Sequence, residues 1–184
     1  MPALHPIRSD DRPPDADAAD VSAARKDSQA FARLYDRYVQ PVYRYLRSRT
    51  GSADEAEDLT AQTFLEAMES LPRYDHRGYF GAWLFAIARR KAADFFRRRR
   101  NVPLEEAEAF ADEADPAVSA DDAIQIRKLR GLIFSLAEAE RELIRLHFSA
   151  GLTFAEMGSL LGKTEDAVKK SVHRLLERLH SRME

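Results

Sequence analysis

The chain of 184 residues has no cysteine. That absence removes disulfides, thiolate zinc centres, iron–sulfur clusters and cysteine nucleophiles together. No apolar run approaches the ~18 residues of a membrane span, and the N-terminus lacks a basic-then-apolar signal pattern. The five histidines, His5, His76, His147, His173 and His180, fall at no metal-ligand spacing. No phosphate-cradling glycine loop or nucleophile motif accompanies them. The expectation is a protein that is not an enzyme, takes no metal or cofactor, does not insert into membrane and resides in the cytoplasm. Net charge is also nearly absent, at -2. With 45% hydrophobic and 33% charged residues, the composition suits an ordered, helix-rich chain rather than a disordered one.

The small net charge hides a strong asymmetry. Residues 85–100 carry Arg89, Arg90, Lys91, Arg97, Arg98, Arg99 and Arg100 against one acid, Asp94. Residues 101–123 carry Glu105, Glu106, Glu108, Asp112, Glu113, Asp115, Asp121 and Asp122 with no base. Beyond them the chain is mildly basic. Such segregation points to a polyanionic partner. Residues 1–26 hold Pro2, Pro6, Pro13 and Pro14 with little apolar content, and read as a disordered arm. Residues 101–121, acidic and interrupted by Pro103 and Pro116, read as an interdomain linker.

The flanking segments are periodic. In 27–100, Phe31, Leu34, Tyr35, Tyr38, Val42 and Leu46 recur at helical spacing, with Pro41 expected to kink or break the run. Ser52 and Glu55 predict a capping box for a second helix carrying Leu59, Phe64, Leu65, Met68 and Leu71, which Pro72 stops. A third helix runs from about Tyr79 through Arg100, with Trp83, Leu84, Ile87 and Phe95 as its apolar stripe. In 122–184, Leu129, Leu132, Ile133 and Leu136 form one apolar face, then Leu143, Leu146 and Phe148 the next. Strand-like alternation is missing. The predicted fold is all-α: two small, independently folding helical domains joined by a flexible acidic linker.

The segment 153–180 has the build of a helix-turn-helix. Thr153 and Glu156 predict a capping box, Gly158 is small where two helices cross, and Gly162 supplies the turn. Thr164 can cap the next helix, and Val168 plugs it back onto the first. The outer side of that helix offers Lys169, Lys170, His173 and Arg174, suited to phosphates and base edges. An ordinary helical hairpin with solvated cations is the competing reading, and the small–turn–plug spacing favours DNA binding over it.

Two runs in the first lobe discriminate further. Glu55-Ala56-Glu57-Asp58-Leu59-Thr60-Ala61-Gln62-Thr63-Phe64-Leu65 resembles the core-polymerase-binding helix of sigma factors. Gly81-Ala82-Trp83-Leu84-Phe85-Ala86-Ile87-Ala88-Arg89-Arg90-Lys91, with Asp94 and the arginines after it, resembles their promoter-melting helix. The stretch from Leu136 through Gly151-Leu152-Thr153 to Val168-Lys169 and His173-Arg174 is similar to their C-terminal domain. Two such lobes with only a linker between them resemble the compact extracytoplasmic-function (ECF) subgroup, over roughly residues 27–182. The departures are Ala61-Gln62 for Gln-Glu, Arg90 for Asn, Leu136-Ala137 for Leu-Pro, and Asp166-Ala167 for Gly-Thr.

The resemblance implies a sigma factor that binds core RNA polymerase and promoter DNA, melts the promoter and answers to an anti-sigma factor. It implies polymerase contacts at Glu57, Asp58, Leu59, Gln62, Thr63 and Phe64. The start-site-proximal element would meet Tyr74, Arg77, Tyr79, Phe80, Arg89, Arg90, Arg97 and Arg98, aromatics stacking on unpaired bases while arginines hold the backbone. Trp83 is expected in the core. The upstream element would meet Thr164, Glu165, Asp166, Lys169, Lys170, His173 and Arg174. Glu165 and Asp166 suit a helix N-terminus, and one of them could accept a proton from cytosine N4. A stand-alone helix-turn-helix regulator is the alternative, needing neither first-lobe surface. A helical interaction adaptor would not need the basic faces.

Overall fold

The computed structural model describes residues 16–75, 78–99 and 120–183, and the described residues contain helices and turns but no strand. The helices are α1 (Ala18–Ala24), α2 (Ser28–Thr50), α3 (Ala53–Ser70), α4 (Phe80–Arg99), α5 (Ala120–Phe134), α6 (Glu138–Ile144), α7 (Phe154–Leu161) and α8 (Glu165–Met183). A short 3₁₀ turn, Leu71–Arg73, follows α3, and a π-turn, Arg145–Ser149, follows α6. Residues 101–119 of the expected linker lie outside the described residues, and Ala120 already opens α5. None of these helices is long and apolar enough to cross a membrane.

Helix α2 is the axis of the first lobe. The Asp27 side chain caps it by accepting from the Gln29 backbone N–H at 2.9 Å. Leu34, Tyr38, Val42, Tyr45 and Leu46 repeat every three or four residues and are buried. The helix continues through Pro41 instead of breaking there. An interior proline costs about 3 kcal/mol, whereas each large apolar side chain flanking it contributes roughly 1.5–3 kcal/mol on burial. Packing outweighs the proline.

The arm expected to be disordered over residues 1–26 needs correcting at its end. Residues 18–24 form α1, docked on α2. Its one buried apolar side chain is Val21. Polar bonds do the rest: the Tyr38 hydroxyl and Arg37 both donate to buried Asp17, and Arg33 Nε donates to Asp20 at 2.8 Å. The hydrogen bond from Arg33 holds the Asp20 carboxyl below its ordinary pKa. Low apolar content was a poor guide because this helix is held by ion pairs.

The two helical domains meet rather than stand apart. Leu146, Ala150, Leu152, Phe154, Met157, Val168 and Val172 of the second lobe join Leu34, Tyr38, Tyr45, Phe80, Leu84 and Phe85 of the first in one buried cluster. Helix α4 lies on α7, and α2 on the π-turn. A smaller cluster, Leu136, Leu175 and Leu179 with Leu132, Ile133 and Ile144 around it, ties α5 and α6 to α8.

Candidate nucleic-acid and protein interfaces

The helix-turn-helix is locked by local chemistry. Thr153 Oγ1 accepts from the Glu156 backbone N–H at 3.1 Å, and Glu156 Oε2 accepts from the Thr153 backbone N–H at 2.8 Å. This reciprocal pair starts α7. Gly162 ends it in the left-handed region, at φ 65°, where a Cβ would be strained. A Cβ added to Gly158 would lie 2.8 Å from the Lys163 carbonyl oxygen and 3.2 Å from the Glu165 nitrogen. The turn therefore touches α7 backbone to backbone. Thr164 Oγ1 then accepts from the Ala167 N–H at 3.2 Å, capping α8.

That lock fixes which side of α8 faces out. Val168, Val172, Leu175 and Leu179 are buried, while Thr164, Glu165, Asp166, Lys169, Lys170, His173 and Arg174 are all exposed. The structure thus brings every residue expected at the upstream element onto one accessible helical surface. Two acids sit in its first turn and four basic or titratable groups follow.

Helix α3 divides differently from expectation. Ala56, Leu59, Thr60, Thr63, Phe64 and Ala67 are buried against α2 and α4. Leu59, Thr63 and Phe64 therefore turn into the core instead of outward; Phe64 packs edge-on against Tyr35, with ring centroids 4.7 Å apart. Glu57, Asp58 and Gln62 are exposed, and Gln62 Nε2 donates to Asp58 Oδ2 at 2.7 Å. Leu65 and Met68, read from the sequence as apolar positions of this helix and not as contact residues, stand out on this surface, 55% and 52% exposed. Helical phase carried the signal, because 56, 59, 60, 63, 64 and 67 form one stripe and 65 and 68 fall off it. Ser52 caps α3 through the Glu55 N–H at 3.4 Å. Glu55 does not complete the capping box; its Oε1 accepts from Arg99 at 2.7 Å.

The aromatic loop and α4 also sort into inside and outside. Phe80 is buried against Tyr38, ring centroids 5.4 Å apart, so it is a core residue and cannot stack on a base. Tyr74 and Tyr79 are half-buried. Trp83, expected in the core, is also half-buried and stacks on Tyr74, with centroids 4.3 Å apart and planes 25° apart. Arg25 of the N-terminal segment donates to the Tyr74 carbonyl oxygen. Arg77 lies outside the described residues. Arg90, Arg97 and Arg98 are exposed, with Arg90 paired to Glu66 and Arg97 to Asp94 at 3.0 Å.

Arg89 departs from this outward set. Its Nε lies 2.9 Å from Glu142 Oε1 of the second lobe. The same carboxylate accepts from the Tyr45 hydroxyl at 2.8 Å and from Arg49 Nη1 at 3.1 Å. Burial, and then the neighbouring Glu142 charge, push the Tyr45 hydroxyl well above the ordinary tyrosine pKa, so it stays a neutral donor. Tyr45, Arg49 and Glu142 were not selected from the sequence; one Glu among the three of α6 reads as solvated.

Comparison with known proteins matches residues 34–102 to Sigma-70 region 2 and residues 126–179 to Sigma-70 region 4. The chain is 35% identical over 158 residues to the ECF RNA polymerase sigma factor BldN of Streptomyces coelicolor, covering 83% of this chain and 60% of BldN. It is 32% identical over 172 residues to the ECF RNA polymerase sigma factor SigD of Mycobacterium tuberculosis, covering 89% of this chain and 81% of SigD. In fold it is similar to the sigma factor RpoE solved in complex with the anti-sigma factor NepR from Bartonella quintana. That likeness has a TM-score of 0.65 at 21% identity and covers 83% of this chain and 96% of that one.

Proposed function

The chain belongs to the ECF RNA polymerase sigma factors, and from that premise we propose that three of its surfaces share the work of promoter-directed initiation. The observation that carries the proposal is the α7–α8 unit, whose backbone-to-backbone turn leaves Lys169, Lys170, His173 and Arg174 exposed on one face. That face enters the major groove of the upstream element, Lys170 meeting phosphate and Lys169 or Arg174 a base edge.

The second surface is the outer side of α3. Glu57, Asp58 and Gln62 present acid, and Leu65 and Met68 add apolar area beside it. An acidic strip repels DNA and suits a basic protein surface with an apolar centre, here the core polymerase. The third is α4 with its preceding loop. Arg90, Arg97 and Arg98 hold the separated strands' backbone, and Tyr74, Tyr79 and Trp83 offer ring faces to unpaired bases. Base stacking of that kind offsets the few kcal/mol needed to unstack each step. An anti-sigma factor is the regulatory partner proposed for this chain.

Core-enzyme binding and strand opening test this division separately. Asp58→Lys together with Leu65→Asp weakens capture of core polymerase, measured by fluorescence anisotropy of the labelled chain. Tyr74→Ala leaves capture alone and lowers permanganate reactivity of thymines near the start site. Equal core affinity for the double variant, or equal reactivity for Tyr74→Ala, contradicts the assignment of that surface.

A further inference from the structure

The interlobe carboxylate of Glu142 is held mainly by side chains of the other lobe, with Arg145 of its own lobe 3.8 Å away. Glu142 is buried and accepts from the Tyr45 hydroxyl at 2.8 Å and from Arg49 Nη1 at 3.1 Å, while Arg89 Nε lies 2.9 Å from it as an ion pair. Among the described residues, the carboxylates paired with Arg49 and Arg89 are Glu138 and Glu142, both from α6. When the second lobe withdraws, the first lobe is left with two guanidinium groups and a neutral hydroxyl converging on one point. Nothing in apolar packing between the lobes requires this. A buried ion cluster at an interface is often no more stabilising than apolar residues of the same size.

Resting on the sigma-factor reading above, we propose that Tyr45, Arg49 and Arg89 form a binding site for a backbone phosphate of promoter DNA, which the Glu142 carboxylate fills while the lobes are together. The fit of the carboxylate is incomplete. Arg89 Nε, although 2.9 Å from Glu142 Oε1, is buried without the alignment of a hydrogen bond. A tetrahedral phosphodiester spreads its oxygens out of one plane and can meet three divergent donors better than a planar carboxylate. Arginine is the side chain suited to that task.

Two observations select DNA over an acidic protein. Arg89 is on α4, the helix that also presents Arg90, Arg97 and Arg98, so the site extends a basic strip already fitted to nucleic acid. It also opens onto a cleft of about 570 Å³ between the lobes, lined by Arg49, Arg89, Lys163, Arg174 and Arg178 with the acids of α6. Arg174 belongs to the face of α8 proposed to enter the major groove. The Glu142 contact and the DNA therefore compete for the same cations, and lobe closure excludes the phosphate.

The test uses the holoenzyme assembled from core polymerase and the full chain, on a promoter fragment, with affinity measured as a function of salt. Arg49→Gln reduces the slope of log affinity against log salt by about one unit, whereas Arg49→Lys keeps most of it. Tyr45→Phe, which removes one oxygen and leaves the core filled, weakens binding in the same direction. A slope for Arg49→Gln equal to wild type, in a protein that melts like wild type, overturns the phosphate site. The competition is read on the free chain, whose lack of cysteine allows dye pairs at Gln29→Cys and Glu177→Cys, both exposed positions. Adding a promoter duplex lowers energy transfer, and Glu142→Gln lowers it before DNA is added. Unchanged transfer in both cases overturns the competition. A wild-type holoenzyme that makes no start-site-specific RNA overturns the sigma-factor reading, a result distinct from either of these.

Discussion

Gly158→Ala measures how strongly the turn of the helix-turn-helix controls DNA reading. The new methyl would sit 2.8 Å from the Lys163 carbonyl oxygen, 3.2 Å from the Glu165 nitrogen and 3.4 Å from the Thr164 carbonyl carbon. All three are backbone atoms, so no side chain can swing aside. The turn must move away from α7 by several tenths of an ångström, and α8 moves with it. Overpacking of this kind costs about 1–3 kcal/mol. In a chain of this size that lowers the melting temperature by roughly 2–4 °C per kcal/mol.

A control is built into the same lobe. Gly131, inside α5, has no heavy atom within 4 Å of a Cβ position. Gly131→Ala should therefore stabilise by about 0.5–1 kcal/mol through helix propensity alone. The assay pairs calorimetric melting with holoenzyme affinity for promoters that carry or lack the upstream element. Gly158→Ala is expected to lower both melting temperature and upstream-element preference, while Gly131→Ala raises the first and leaves the second. If Gly158→Ala melts like wild type and keeps its preference, the close contact does not position α8 and the reasoning fails.

Other consequences follow from burial and charge. Phe64→Ala should cost about 3–5 kcal/mol of stability, since Phe64 is a core residue. Leu65→Ala should melt close to wild type yet lose core-polymerase affinity, and the opposite pattern in anisotropy and melting would reverse their roles. Neutralising Glu165 and Asp166 together should strengthen non-specific duplex binding, because two repulsions at the phosphates disappear; an unchanged Kd on random-sequence DNA would show that these acids face no phosphate. The pairing of α1 with α2 should weaken in acid. Asp20 has a lowered folded pKa, so its contribution is present above the unfolded value of about 3.9 and is lost as pH falls through the folded value. Protection of the amides of residues 18–24, taken relative to their intrinsic exchange rate at each pH, should fall over that window, and protection that stays flat down to pH 2 would contradict the ion-pair account.

What could be read in advance was local. Thr153 with Glu156, Gly162, Thr164 and the small Gly158 act within a few residues of themselves, and each is found in its expected role. The outward face of α8 followed from one buried residue, Val168, and the period of a helix. Long-range features were silent. Residues 18–24 looked unable to fold because their docking depends on Arg33, Arg37 and Tyr38, far along the chain. Phe64 and Phe80 looked like contact residues because aromatic character does not say which side of a helix faces the core; the phase of α3 could have placed Phe64 inside and Leu65 outside. The Tyr45–Arg49–Arg89 cluster meets Glu142 from 53 to 97 positions away, and no spacing in the sequence announces that meeting.

As a sigma factor, this chain should by itself confer promoter choice on core polymerase. The most direct measurement is transcription in vitro with purified core enzyme and the purified chain on a library of promoter fragments, the RNA ends being sequenced. RNA should start at fixed positions downstream of a shared pair of elements, and only when the chain is present. Lys169→Ala with Arg174→Ala should relax the upstream element while leaving the start-site-proximal element unchanged. RNA that starts at random, or start sites that need a second sigma factor, would contradict this expectation.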